Sequence, residues 1–258
     1  MDFGKLSNKG NVRLENQDRV AILNNGDFTF LILCDGMGGH FGGSLASSIA
    51  LKTFTNNFMN FLPKYNQNSN FEEYVTWFKK TCDFARNEMI IFSNNDEAKL
   101  DMGTTITAAL VNKKENFILI FNIGDSRTYI LTTQGELKQI TVDHNLLNLF
   151  IKDKIPEHIA RKNKRHAALT SALGPLKTTK IEVFPIFNNS FESVYSILST
   201  SDGVHDFIDK PILEMILKKH NNAQEIVEEI VDYSLKNHST DNSSAGLIIL
   251  DNSKKWGK

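Results

Sequence analysis

Hydrophobic positions along this chain switch between two periods. From Phe28 to Cys34 the sequence runs F-T-F-L-I-L-C, with Phe28, Phe30, Ile32 and Cys34 on one side and Leu31 and Leu33 on the other. That pattern predicts a strand buried on both faces. A strand from Arg19 to Leu23 precedes it, joined as a hairpin through the turn residues Asn24-Asn25-Gly26-Asp27. Helical spacing follows. Leu45 to Leu62 aligns Ala46, Ile49, Ala50, Phe54, Phe58, Phe61 and Leu62. After a polar linker, Phe71 to Phe92 aligns Phe71, Tyr74, Val75, Phe78, Cys82, Ala85, Met89 and Phe92. These helices are expected to pair and to cover a sheet, with their aromatic stripe in the core.

From Met102 the period returns to two. Thr104 to Val111, Phe117 to Ile123 and Arg127 to Thr132 read as strands, with turns at Asn112 to Asn116, Gly124-Asp125 and Gln134-Gly135. Strands that follow one another without helices between them predict antiparallel sheets. Val142 to Leu176 breaks the rhythm: it is short-helical, then strongly basic from Arg161 to His166. Strands resume at Lys180 to Phe187 and Val194 to Thr200. Helices follow at about Pro211 to His220 and Ala223 to Lys236, the second capped by Asn222 with Glu225 as third-position partner. A last strand runs from Ala245 to Leu250. No internal repeat or domain break stands out, so residues 1–258 are expected to form one domain.

Composition narrows the function classes. The 258 residues are 41% hydrophobic and 23% charged, with a net charge of -1. This is globular composition without the basic excess that nucleic acid or a membrane surface would ask for. Neither a signal-peptide core nor an apolar run of ~20 residues occurs, and only Cys34 and Cys82 are present, so a reducing cytoplasm is the expected compartment. A cysteine-nucleophile phosphatase would want an Arg about six residues after Cys34; His40 stands there, and Cys34 reads as a packing residue.

The chemistry gathers at strand ends. Asp35 closes the doubly buried strand and opens a glycine cluster, D-G-M-G-G-H-F-G-G. The cluster fits neither a dinucleotide fingerprint nor a phosphate-binding loop. Taken alone, Asp35 is equally a metal ligand or a structural turn acid. The hairpin, however, brings Arg13, Asn16, Gln17 and Asp18 to the same end as Asp35. Asp202-Gly203 repeats the strand-Asp-Gly pattern, and Asp241 directly precedes the last strand. Asp125, beside Gly124, is by itself better read as a turn residue. Gathered carboxylates repel unless cations neutralise them, and oxygen-only ligands suit Mg²⁺ or Mn²⁺. Two such ions can turn a shared water into a hydroxide nucleophile for in-line attack on phosphorus, with an Arg, here Arg13, as clamp for the phosphate.

In order along nearly the whole chain stand V-R-L-E-N-Q-D (Val12 to Asp18), D-G-M-G-G-H (Asp35 to His40), M-G-T-T (Met102 to Thr105) and G-D-S-R-T-Y (Gly124 to Tyr129). They are followed by T-V-D-H (Thr141 to His144), A-L-G (Ala172 to Gly174), S-D-G (Ser201 to Gly203) and D-N (Asp241-Asn242). On these motifs the sequence resembles the metal-dependent type 2C (PPM) Ser/Thr protein phosphatases, in their bacterial branch. The resemblance implies an α+β fold, a four-layer α-β-β-α sandwich of two antiparallel sheets flanked by helices. It implies two Mn²⁺ or Mg²⁺ ions at one end of the sandwich. Asp35 would bridge both, the Gly36 carbonyl would bind one, and Asp202 and Asp241 would hold the other. Gln17 and Asp18 would act through waters, and Asp125 with Asp202 would take a third, weaker ion. Arg13 would bind the substrate phosphate, His40 would be a proton donor, and residues 145–168 would form a flap beside the site. It further implies a monomer acting on phosphoserine and phosphothreonine proteins, targets of a cognate Ser/Thr kinase.

The chain departs from the family pattern at Gln17 (for Glu), Ser44 (for Glu), Asn145 (for Ser) and Ser243-Ser244 (for an apolar residue and Thr). None of these removes a direct ligand. Two other classes stay in view. One is a catalytically silent relative acting as a sensor or binding module. The other is a nucleotide-binding α/β protein, which would need a parallel sheet.

Overall fold

The computed structural model describes residues 1–38, 42–65, 70–94, 96–219 and 222–250. In chain order the strands are β1 (Asp2–Asn8), β2 (Asp18–Asn25), β3 (Phe28–Met37), β4 (Gly103–Thr104), β5 (Ile106–Asn112), β6 (Phe117–Ile123), β7 (Arg127–Thr132), β8 (Leu137–Gln139), β9 (Glu182–Phe187), β10 (Val194–Thr200) and β11 (Ser243–Ile249). The helices are α1 (Gly42–Phe61), α2 (Phe71–Ser93), α3 (Glu97–Leu100), α4 (Leu146–Lys152), α5 (Glu157–Ala160), α6 (Asn188–Glu192), α7 (Asp202–His205), α8 (Lys210–Lys219) and α9 (Ala223–Lys236).

Two antiparallel sheets result, ordered β1-β11-β10-β7-β8 and β2-β3-β5-β6-β9, with β4 extending the second at the end of β3. They pack face to face, α1 and α2 covering one outer face and α9 with its neighbours the other. The expected α+β sandwich is therefore the fold, and a parallel nucleotide-binding sheet is excluded. Alternation along β3 makes the layers. Phe30, Ile32 and Cys34 pack with Phe54, Phe58, Trp77 and Phe78 of the helices, while Leu31 enters the space between sheets with Ile120, Ile197 and Ile248. A third apolar cluster joins Tyr129, Leu198 and Leu247 to Ile226 and Ile230 of α9.

The hairpin turn is two residues, Gly26-Asp27, with Gly26 at φ 59°, as primed hairpin turns demand. Asn222 caps α9 as expected, accepting from Gln224 N–H (2.9 Å) and Glu225 N–H (3.2 Å). Part of the aromatic stripe lies elsewhere than expected: Phe61 and Phe92, in the last turns of α1 and α2, and Phe71, the first residue of α2, are exposed. Sequence periodicity missed β1. Its register, from Asp2 opposite Ile249 to Asn8 opposite Ser243, is set by the neighbouring strand rather than by its own mixed D-F-G-K-L-S-N pattern.

Candidate active site

The polypeptide crosses between the sheets at one end of the sandwich through residues 9–17, between β1 and β2, and through Gly124-Asp125-Ser126, between β6 and β7. At this same end β3 finishes, β10 runs into Asp202, and β11 begins after Asp241. Five aspartates are thus delivered by strand topology alone. Hydroxyls replace hydrocarbon between the sheets as the end is approached: Thr107 meets Thr128 (2.7 Å), Thr128 meets Ser199 (2.8 Å), and Thr105 meets Ser126 (2.7 Å).

Asp18 and Asp35 face each other as the first pair of the hairpin register. The backbone of Asp35 is fixed from the far side. Its N–H donates to Thr105 Oγ1 (3.1 Å), and its carbonyl accepts from Thr105 N–H (2.8 Å) and the Thr104 hydroxyl (2.9 Å). That is the physical use of M-G-T-T. Gly36 N–H donates to the Gln17 carbonyl (3.2 Å), and a Cβ on Gly36 would collide with the Gly43 backbone at the start of α1. Gly203 is held in the same way against Asn242.

Asn242 ties the N-terminal crossing to β11. Its side-chain NH₂ donates to the Lys9 (2.7 Å) and Glu15 (3.0 Å) carbonyls, and its Oδ1 accepts from Gln17 N–H (2.8 Å). The sequence motif contained Asn242 without disclosing this role, since all three partners lie more than 200 residues away. Arg19 does not pair with the neighbouring Asp18 carboxylate. Its guanidinium bonds the Asn16 and Asp18 carbonyls (2.7 and 2.8 Å) and the hydroxyls of Ser48 and Ser44 (both 3.1 Å). It thereby locks the β2 entry onto α1.

A cavity of about 640 Å³ opens here, lined by Arg13, Gln17, Asp35, Gly36, Asp125, Asp202, Asp241 and Asn242, with Thr105 and Leu169 in its wall. Arg13 is exposed and pairs with Asp241 at 2.5 Å. Asp18 lies just beneath, buried. His40 lies outside the described residues.

Burial, then mutual repulsion, raises these carboxyls. Asp35 is pushed well above the usual carboxylate range by burial and then by Asp18, Asp202, Asp125 and Asp241. Burial lifts Asp18 to about 7 against the pull of the Ser244 and Ser201 hydroxyls. Burial and then Asp202 lift Asp125 to about 7; burial and then Asp241 lift Asp202 to about 6. Asp18 Oδ2 is buried without a hydrogen-bond partner. Among the described residues no three His, Cys, Asp or Glu side chains are drawn together closely enough to hold an ion as they stand. The donor set is all oxygen, over-supplied with negative charge, and has one orphaned buried carboxylate oxygen. These features fit hard divalent cations. Cys34 does not compete as a nucleophile: it is buried, and burial pushes its thiol far up.

Fold and site together define a two-sheet α+β sandwich with an acidic cavity at one end. The chain belongs to the protein phosphatase 2C family, whose sequence profile matches residues 11–237. A Mycoplasma genitalium protein provisionally assigned as a protein phosphatase is 32% identical, covering 98% of this chain and 96% of its own. The serine/threonine phosphatase stp of Listeria monocytogenes is 27% identical over 96% of each chain. The solved structure of the serine/threonine phosphatase Stp1 from Staphylococcus aureus superposes with a TM-score of 0.82 at 26% identity, covering 97% of this chain and 96% of that one.

Proposed function

We propose that this chain is a metal-dependent serine/threonine protein phosphatase that hydrolyses phosphoserine and phosphothreonine in proteins. The observation that carries the reading is the meeting of Asp18, Asp35, Asp125, Asp202 and Asp241, from both sheets, at one cavity with Arg13 at its rim. The serine/threonine assignments of its relatives support the substrate class.

Asp35, the Gly36 carbonyl, Asp202 and Asp241 would hold two Mn²⁺ or Mg²⁺ ions, Asp18 and Gln17 would support them through water, and Asp125 with Asp202 would take a third, weaker one. When bound, such ions neutralise the carboxylates and supply an activated water as nucleophile near neutral pH. Arg13 exchanges Asp241 for the substrate phosphate, whose oxygens match its planar donors. Leu169 lines the cavity, the segment 145–168 that leads into it would be the flap, and His40 would be the proton donor to the leaving oxygen. The whole chain acts as one domain, as a monomer in the cytoplasm, on targets of a Ser/Thr kinase. Buried free thiols at Cys34 and Cys82 support a reducing compartment. Among the described residues no helix is long and apolar enough to cross a membrane.

Hydrolysis of a phosphothreonine peptide by wild type and Asp202→Asn, each with Mn²⁺, Mg²⁺ or EDTA, tests this. Turnover with Mn²⁺ that EDTA abolishes and Asp202→Asn lowers on the order of 100-fold or more is the expected result. A metal-loaded wild type with no turnover would instead make the chain a silent relative.

A further inference from the structure

Residues 145–168 carry Lys152, Lys154, Arg161, Lys162, Lys164 and Arg165 against Asp153 and Glu157, a net charge of +4 in a chain whose total is -1. The lobe they form is closed at its base by the Asn145–Leu169 bridge and by Leu146 N–H and Leu147 N–H donating to the Ala168 and His166 carbonyls (3.0 and 2.8 Å). All six cations are exposed. Arg161 pairs with Glu157; among the described residues the other five have no carboxylate within ion-pair distance. Unpaired like charges on one lobe repel each other, and this fold gives them no internal use. An anion from outside would relieve them.

The lobe's position says which anion. Leu169, at its base, lines the acidic cavity, and Arg165 is four residues away. Four residues span at most ~14 Å. An extended peptide advances ~3.3 Å per residue, so one whose phosphorylated side chain enters the cavity comes level with Arg165 within about four residues of the phosphate. We infer that the basic lobe docks the acidic flank of the substrate, so that the enzyme prefers phosphoresidues with Asp or Glu within about four positions. The cavity itself is too acidic to attract such a peptide without bound cations, and the lobe supplies the opposite field at the entrance. The inference rests on the phosphatase reading above.

The test compares phosphothreonine peptides with acidic, neutral and basic flanks, alongside p-nitrophenyl phosphate, which has no flank. The expected result is kcat/KM roughly ten-fold higher for the acidic peptide than for the basic one at low salt, shrinking as salt approaches 0.5 M. In Lys162→Gln/Lys164→Gln/Arg165→Gln, folded by its melting curve, the ratio should fall to about one. If wild type turns over p-nitrophenyl phosphate but ignores the flank, or the triple variant keeps the preference, the inference is overturned and the phosphatase reading stands. If neither p-nitrophenyl phosphate nor any peptide is hydrolysed with Mn²⁺, that reading fails and the inference with it. Lobe-dependent binding to phosphatidylglycerol vesicles without a peptide preference would also overturn it.

Discussion

At the scale of single residues, the site is held against its own electrostatics. Asp18 is 1% exposed, has an orphaned oxygen, and is lifted to about 7 by burial. A carboxyl raised in the fold favours the protonated form. Its destabilising contribution is therefore absent below the ordinary pKa near 4, grows as pH rises, and is complete above about 7. Asp18→Asn should stabilise the protein in EDTA at pH 8, by up to ~4 kcal/mol for a shift of this size. The gain should shrink steadily below pH 7, vanish only below about pH 4, and be accompanied by weaker Mn²⁺ binding in calorimetry. An unchanged melting temperature at pH 8 would argue against a charged, unpaired Asp18. His144 carries the opposite sign. Its Nδ1 accepts from Gly124 N–H (3.1 Å), so its proton is on Nε2, facing Glu182 (3.1 Å), and burial lowers its pKa. A lowered histidine gives stability that is present above pH 6.5 and lost as pH falls below it. In metal-saturated protein, His144→Asn keeps an acceptor for Gly124 and should flatten the decline in melting temperature between pH 7 and 5.

Elements position those residues by close approach. The β2–β3 hairpin sets Asp18 opposite Asp35, and Thr104-Thr105 clamps the latter from β4. Asn242 is the staple between β11 and the crossing at residues 9–17. Asn242→Ala would leave the Lys9 and Glu15 carbonyls and the Gln17 N–H unsatisfied, a cost of about 2–3 kcal/mol, measured as a melting temperature lower by roughly 6 °C. KM should rise as Arg13 loses its anchor. Gly36→Ala should do more harm than its size suggests, because its Cβ meets the Gly43 backbone rather than a movable side chain. Loss of turnover with a melting temperature within about 1 °C of wild type would contradict this account, since relieving that clash must shift α1. The sequence displayed the hairpin, the two long helices and the strand-Asp-Gly pattern, because each is a local rule. β1 stayed hidden because its partner is β11, at the other end of the chain.

For the whole molecule, the proposed ions at the acidic end would make folding and metal binding one equilibrium. Ions that bind only the folded chain stabilise it by RT ln(1 + [L]/Kd), about 2.7 kcal/mol at a hundred-fold excess over Kd. Millimolar Mn²⁺ should therefore raise the melting temperature of wild type by several degrees, and should raise that of Asp202→Asn far less. What the sequence determined by itself was the period of the longer elements, the antiparallel order, the aspartates at strand ends and, through motif order, the family. These follow from alternation, turn chemistry and spacing, which are written within a few residues. Only the tertiary structure decided that the aspartates meet in and just beneath one cavity, that Arg13 rests on Asp241, that Arg19 bonds carbonyls and hydroxyls rather than the Asp18 carboxylate, and that Asn242 closes the crossing. Each of these joins groups from different sheets or distant segments, and no local pattern records which strand end lies beside which until two sheets have packed.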